Sequence, residues 1–192
     1  MHPLKQLVRV LGIDDGPFKF SDEFVPIVGV VMRGGYLDGV LRSQVRVDGD
    51  EATEVIIDIL EKSRYKEQVR VLMLNGIALG GFNVVDLDKV YKRTGIPCIS
   101  ITRERPDYKA MEKALRAKFK DWERRWTIVG REDLMTVDTG HKPLYARAHG
   151  IDNKEASRLI VRSILRGALP EPLRLAHIIA TAYVKGESKG NA

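Results

Sequence analysis

Two adjacent acids, Asp14 and Asp15, close the apolar run Leu7–Ile13 and run straight into Gly16. A carboxylate leaving a buried strand is a ligand for a hard divalent cation, which prefers oxygen donors. Side chains alternate along a strand, so one acid faces the working side of the sheet and the other turns away. Asp14 is the first choice for the ligand and Asp15 the second, although Asp-Gly equally suits a solvated turn. A second polar group, Asn75, ends the apolar run Val69–Leu74 and is followed by Gly76 and Gly80-Gly81. Polar groups just beyond the carboxyl end of a central strand are where α/β sheets keep their sites. A third group, Asp50, Glu51 and Glu54, lies at the start of a helix, where acids also simply complement the helix dipole.

A basic stretch accompanies these acids. Between Arg103 and Arg125 nine Lys and Arg oppose five Asp and Glu, with Trp122 and Trp126 interleaved. Cations with aromatics are what a nucleic-acid groove uses, whereas a Trp pair at i, i+4 is also a helix face packed on the core. The whole chain carries a net charge of +6 over 192 residues, which fits a polyanionic partner without requiring one. The single cysteine, Cys98, cannot form an internal disulfide and sits in an apolar run, as an inert buried thiol does. The four histidines, His2, His141, His149 and His177, show no zinc spacing. No apolar run approaches a membrane span and no signal peptide is evident, so the expected location is cytoplasmic, with no membrane partner.

The elements that must position these groups follow from periodicity. Strands are predicted at Leu7–Ile13, Pro26–Arg33, Tyr36–Val47, Val69–Leu74 and Pro97–Thr102, with Gly34-Gly35 turning the second into the third. Gly39 marks a bulge or a weak point in the third. That strand carries Arg42, Gln44 and Arg46 at period two, a polar face whose default reading is solvation. Val55, Ile56, Ile59 and Leu60 give a helical stripe through about Lys62, and Asp86 caps a short helix closed by Gly95. Further helices are predicted from Asp107 to about Phe119, over Asp121–Trp126, over Asn153–Leu165, and after Pro170. Leu134–Asp138 and Leu144–His149 read as a hairpin. This order predicts a mixed five-stranded α/β sheet of ribonuclease H type, with three antiparallel strands first and parallel strands with helical crossovers after. The expectation is one domain over residues 1–192: a core of 1–126, with the hairpin and last two helices of 127–192 packed on it.

GIDDG, VRVDGDEAT, LNGIALGGFNVVD, RERPD and PEPLRLAHIIATAYVKGES resemble the archaeal domain-of-unknown-function family 99, also called uncharacterised protein family 0215, over nearly the whole chain. That family is remotely similar to endonuclease V, a metal-dependent ribonuclease-H-like enzyme that cuts beside deaminated purines. The resemblance implies a nuclease using Mg²⁺ or Mn²⁺ on DNA or RNA, with Asp14 at the metal-binding aspartate of the first strand. Asn75 falls where endonuclease V has an aspartate, so one negative charge is missing there. Asp50 or Glu54 is the nearest candidate for the catalytic glutamate, giving Asp14, Asn75 and Glu54 as catalytic and Asp14, Asn75 and Asp50 as metal-ligating residues. Arg103, Arg105, Lys109 and Arg116 are the candidate phosphate contacts. Endonuclease V's strand-separating wedge and deaminated-base pocket have no visible counterpart. The alternative is therefore an inactive or weak ribonuclease-H-like module that binds nucleic acid or a protein.

Overall fold

The structure, a computed structural model, describes residues 8–131 and 133–189. The start of the first predicted strand, Leu7, and His2 lie outside the described residues, as does the end of the polar tail. Strands β1 (Arg9–Asp15), β2 (Phe24–Arg33) and β3 (Tyr36–Arg46) form an antiparallel meander. Helix α1 (Ala52–Glu61) then crosses to β4 (Val69–Asn75), which lies parallel to β1. A two-residue-per-strand hairpin, β5 (Ala78–Leu79) and β6 (Asn83–Val84), precedes helix α2 (Leu87–Thr94) and strand β7 (Cys98–Thr102), parallel to β4. Helices α3 (Tyr108–Lys118) and α4 (Trp122–Val129) follow, then β8 (Met135–Val137), β9 (Leu144–His149), α5 (Asn153–Ser163) and α6 (Glu171–Lys185).

The sheet is larger than five strands. β9 pairs antiparallel with β7 and β8 with β9, giving the order β3-β2-β1-β4-β7-β9-β8. The five predicted strands hold their places, and the C-terminal hairpin continues the sheet at the β7 edge.

The central strands are apolar on both faces because both faces are covered. Leu11, Ile13, Leu72 and Leu74 meet Ile56, Ile57 and Leu60 of α1 and Leu87 and Val90 of α2 on one side. Val10, Val71, Met73, Ile99 and Ile101 meet Ala156, Leu159 and Ile160 of α5 and Leu173 of α6 on the other. Further along α6, Ala176 and Ala180 sit on Val28, Val30 and Met32 of β2. Each fully buried Leu or Ile contributes about 1.5–3 kcal/mol relative to exposure, so the two-faced burial anchors the strand ends that carry the polar groups. Local signals act as read: Asp86 accepts from the backbone N–H of Asp88 and Lys89 to cap α2, and Gly95 closes it at φ 68°. Gly39 lies at the β2–β3 register shift, and the Tyr65 ring occupies the space its side chain would take.

Candidate functional site

Alternation along β1 sends its last two acids to opposite faces. Leu11 and Ile13 point to the α1 side, so Val10, Gly12 and Asp14 point to the α6 side. On β4 the same rule puts Val71, Met73 and Asn75 on the α6 side. β1 and β4 are neighbours, and Asp14 and Asn75 meet there: Asn75 Nδ2 donates to Asp14 Oδ2 at 3.0 Å. Asp14 is only 2% exposed, and its other oxygen accepts from the Asp15 backbone N–H at 2.9 Å.

A third side chain completes this corner. His177 Nδ1–H donates to the same Asp14 oxygen at 2.9 Å, across 163 residues of chain. That hydrogen bond to the carboxylate raises the imidazole's pKa, against partial desolvation and the nearby Arg103 guanidinium. His177 reaches Asp14 because α6 lies directly on β1. A Cβ at Gly12 would sit 2.5 Å from the Pro172 backbone, so this close approach requires glycine. Pro170 and Pro172 start the helix, which fixes where its first turns fall.

Asp15 leads the other way. Its Oδ2 accepts from the Gly80 backbone N–H at 2.6 Å. Burial, and then the adjacent Asp14 charge, push its pKa up to about 6. Gly80 in turn accepts from the Asp48 N–H at 2.8 Å, and Asp48 Oδ1 accepts from the Phe82 N–H at 2.8 Å. Glu51 accepts from the Arg46 and Asp50 N–H groups. Burial opposes ionisation of Glu51, yet these backbone donors win and its pKa falls. Asn83 accepts from the Ala52 N–H and donates to the Arg46 carbonyl. Arg125, 6% exposed, donates from Nη1 to the carbonyls of Gly49 and Phe82, both at 2.6 Å, and from Nε to Asp121 at 2.9 Å.

Glu54 is half exposed and pairs with Lys89 at 2.6 Å and Arg93 at 3.9 Å, both on α2. Asp50 is exposed and lies 3.6 Å from Arg124. Neither has a bond or ion pair to Asp14 or Asn75. Arg103 and Arg105 are exposed in the loop after β7, with Lys109 exposed in the first turn of α3. Arg116 is bound to Glu112 at 2.7 Å and lies 4.2 Å over the Trp122 ring. The tryptophans are half buried, and the buried side chains of α4 are Arg125 and Val129.

The donor set suits a hard cation that keeps much of its water: one buried carboxylate, and an amide that offers its oxygen when turned about. Among the described residues, no cluster of three or more His, Cys, Asp and Glu forms a ready-made cage. The residues fit a single Mg²⁺ or Mn²⁺ held by few protein ligands.

Residues 6–184 match the model of the Endonuclease dU family. The chain belongs to this family. A UPF0215 protein of Methanothermobacter thermautotrophicus is 46% identical over 191 residues, covering 98% of this chain and 94% of that protein. A protein of unknown function from Archaeoglobus fulgidus shares the structure at TM-score 0.82 and 35% identity, over 92% of this chain and 98% of that one. Ciona intestinalis endonuclease V, solved with a 24mer DNA containing an inosine followed by a ribo-adenosine, matches at TM-score 0.60 and 13% identity, over 90% and 84%. At that identity the likeness is one of fold, the ribonuclease-H-like fold of endonuclease V. No described helix is long and apolar enough to cross a membrane.

Proposed function

We propose that this member of the Endonuclease dU family is an endonuclease that cuts nucleic-acid phosphodiesters at the Asp14 corner. The observation that carries the reading is the buried Asp14 carboxylate at a strand end, bridged by Asn75 and His177, within an endonuclease V fold. Asp14 and Asn75 would hold Mg²⁺ or Mn²⁺, whose chemistry is to activate water and steady the leaving oxygen. His177 fixes the carboxylate's orientation and, being half exposed, can hand a proton to a leaving oxygen. Arg103, near His177, holds a phosphate beside it, and Arg105 and Lys109 extend that contact. Arg116, tied to Glu112 and stacked on Trp122, contributes less. Asp50 and Glu54 would have to leave Arg124 and Lys89 to join the cation.

The family's description couples an endonuclease to dU, so a deoxyuridine-containing strand is the first substrate to try, with inosine second. The protein with Mn²⁺ is expected to nick such strands, and Asp14→Ala to lose about 100-fold or more of the rate. Asn75→Asp is expected to raise metal affinity by restoring a charge. If neither the natural chain nor Asn75→Asp cuts any deoxyuridine, inosine or plain strand, the reading is overturned. A second reading has its own observation. Asn75 presents a neutral amide donor to Asp14, which suits a module that binds without cutting. Salt-dependent binding with no cleavage by either form would select it.

A further inference from the structure

The polar face of β3 has no role in the chemistry above, and it lies on the α6 side. Val28, Val30 and Met32 of β2 contact α6, and Val28 pairs directly with Arg42, Pro26 with Gln44 and Phe24 with Arg46. Arg42, Gln44 and Arg46 therefore share the α6 side with Asp14, and all three are exposed. The two arginines pair with aromatics. Arg42 lies 4.9 Å from the centroid of Tyr183 on α6, and Arg46 lies 6.0 Å from that of Phe24. Tyr183 is 57% exposed and Phe24 41%, far more than buried ring packing would leave. Among the described residues neither arginine has an acidic partner within salt-bridge distance. By contrast, Arg116, Arg124 and Arg125 of the α3–α4 basic stretch are each matched by Glu112 or Asp121. Between this face and the corner lies α6, whose Ala180 and Val184 pack on Gly16 beside Pro26 of β2, so the face borders the helix that carries His177.

Unpaired guanidinium groups alternating with exposed aromatic rings match a chain of phosphates with accessible base faces. A duplex keeps its bases stacked internally and has no use for the rings. We infer that the β3 face, Arg42, Gln44 and Arg46 with Phe24 and Tyr183, is a track for single-stranded nucleic acid alongside α6, the helix whose His177 meets Asp14. The arginines take phosphates, the rings stack on bases, and Gln44 between them hydrogen-bonds a base edge or sugar. Arg42 and Arg46 are four residues apart on one strand, roughly 13 Å, so they engage different phosphates. The inference rests on the nuclease or binding reading of the Asp14 corner and adds which form of nucleic acid the protein takes and which further surface holds it.

The test is fluorescence anisotropy with a labelled oligothymidine strand in EDTA, so that no cutting occurs, across a salt series. The double variant Arg42→Gln/Arg46→Gln is expected to bind about tenfold or more weakly at low salt. Its log–log salt slope should be shallower by about 1.4, the value for two lost single-strand phosphate contacts. Tyr183→Leu and Phe24→Leu are each expected to cost about fivefold or more on the single strand. They should leave the affinity for the same strand annealed to its complement unchanged. If all three variants bind the single strand as the natural chain does, the track is overturned while the Asp14 reading stands. Equal losses on strand and duplex from the ring variants overturn the stacking assignment. If the natural chain binds no nucleic acid at low salt, the track and the reading beneath it both fall. Cleavage by Asp14→Ala is scored separately and bears on the reading alone.

Discussion

Asp14 and Asp15 are neighbours of identical chemistry, yet they anchor two unlike corners of the same sheet edge. On the α6 side Asp14 meets an amide and a half-exposed imidazole, and the exposed Arg103 lies close by. On the α1 side Asp15, Asp48, Glu51, Asn83 and Arg125 are bonded to the backbone of the loops after β3 and β4. The first corner presents its polar groups, and the second uses them up in holding loops. What separates them is the one-residue alternation of a strand. The helix each face receives differs accordingly: α6 brings a histidine, and α1 brings its own amino end.

Substitutions on the α1 side should therefore cost stability. The largest cost is expected for Arg125→Met, which leaves the Gly49 and Phe82 carbonyls without their donor: about 3 kcal/mol in urea unfolding. A loss under about 1 kcal/mol would remove Arg125 from this role. Gly12→Ala tests the opposite corner, since its methyl meets Pro172. A loss of about 2 kcal/mol is expected, with His177 displaced from Asp14, seen as a shift of the imidazole signals in NMR. If the signals stay put, close approach at Gly12 is not what delivers His177.

Glu51→Ala should cost about 1 kcal/mol at neutral pH, the scale of a charged group bonded to backbone donors after discounting its partial exposure. Its pKa is lower in the folded chain, so this stabilisation is present above the unfolded value and is lost as pH falls through the folded one. Variant and natural chain should then converge in acid, and a gap that persists there would mean the carboxylate's charge is irrelevant. Cys98 gives the smallest effect and the same logic of burial. Its thiol is pushed up to about 12 by desolvation, so thiol reagents should label it only on unfolding. Rapid labelling of the native chain would contradict the buried β4–β7 seam.

Much of this fold is written locally. Short apolar runs mark the five strands, and Asp86 with Gly95 brackets α2, because caps and turns depend on near neighbours. The pairing of β9 with β7 is not legible, since nothing in Leu144–His149 names its partner strand. The same division runs through the candidate site. A ribonuclease-H-type strand order lays β4 beside β1, and that order alone brings Asn75 next to Asp14. His177 carries no signal inside PEPLRLAH beyond its helix, although Pro170 and Pro172 set the helix start just before it and Gly12 offers a sheet surface without a side chain. For Glu54 the sequence gives a distance from the helix start but not the neighbour, and Lys89 is that neighbour. Arg125 stands in a basic run, where solvent exposure is the ordinary reading, and only the fold reveals the two carbonyls it bridges.

The Asp14–His177 contact spans 163 residues, and that span sets a timetable. During synthesis the strands that carry Asp14 and Asn75 emerge long before α6 does, and chains are made at about 5–20 residues per second. Throughout that interval Val28, Val30 and Met32 lack their cover, and Asp14 lacks its imidazole. The corner is thus completed only when α6, far along the chain, brings His177 to Asp14.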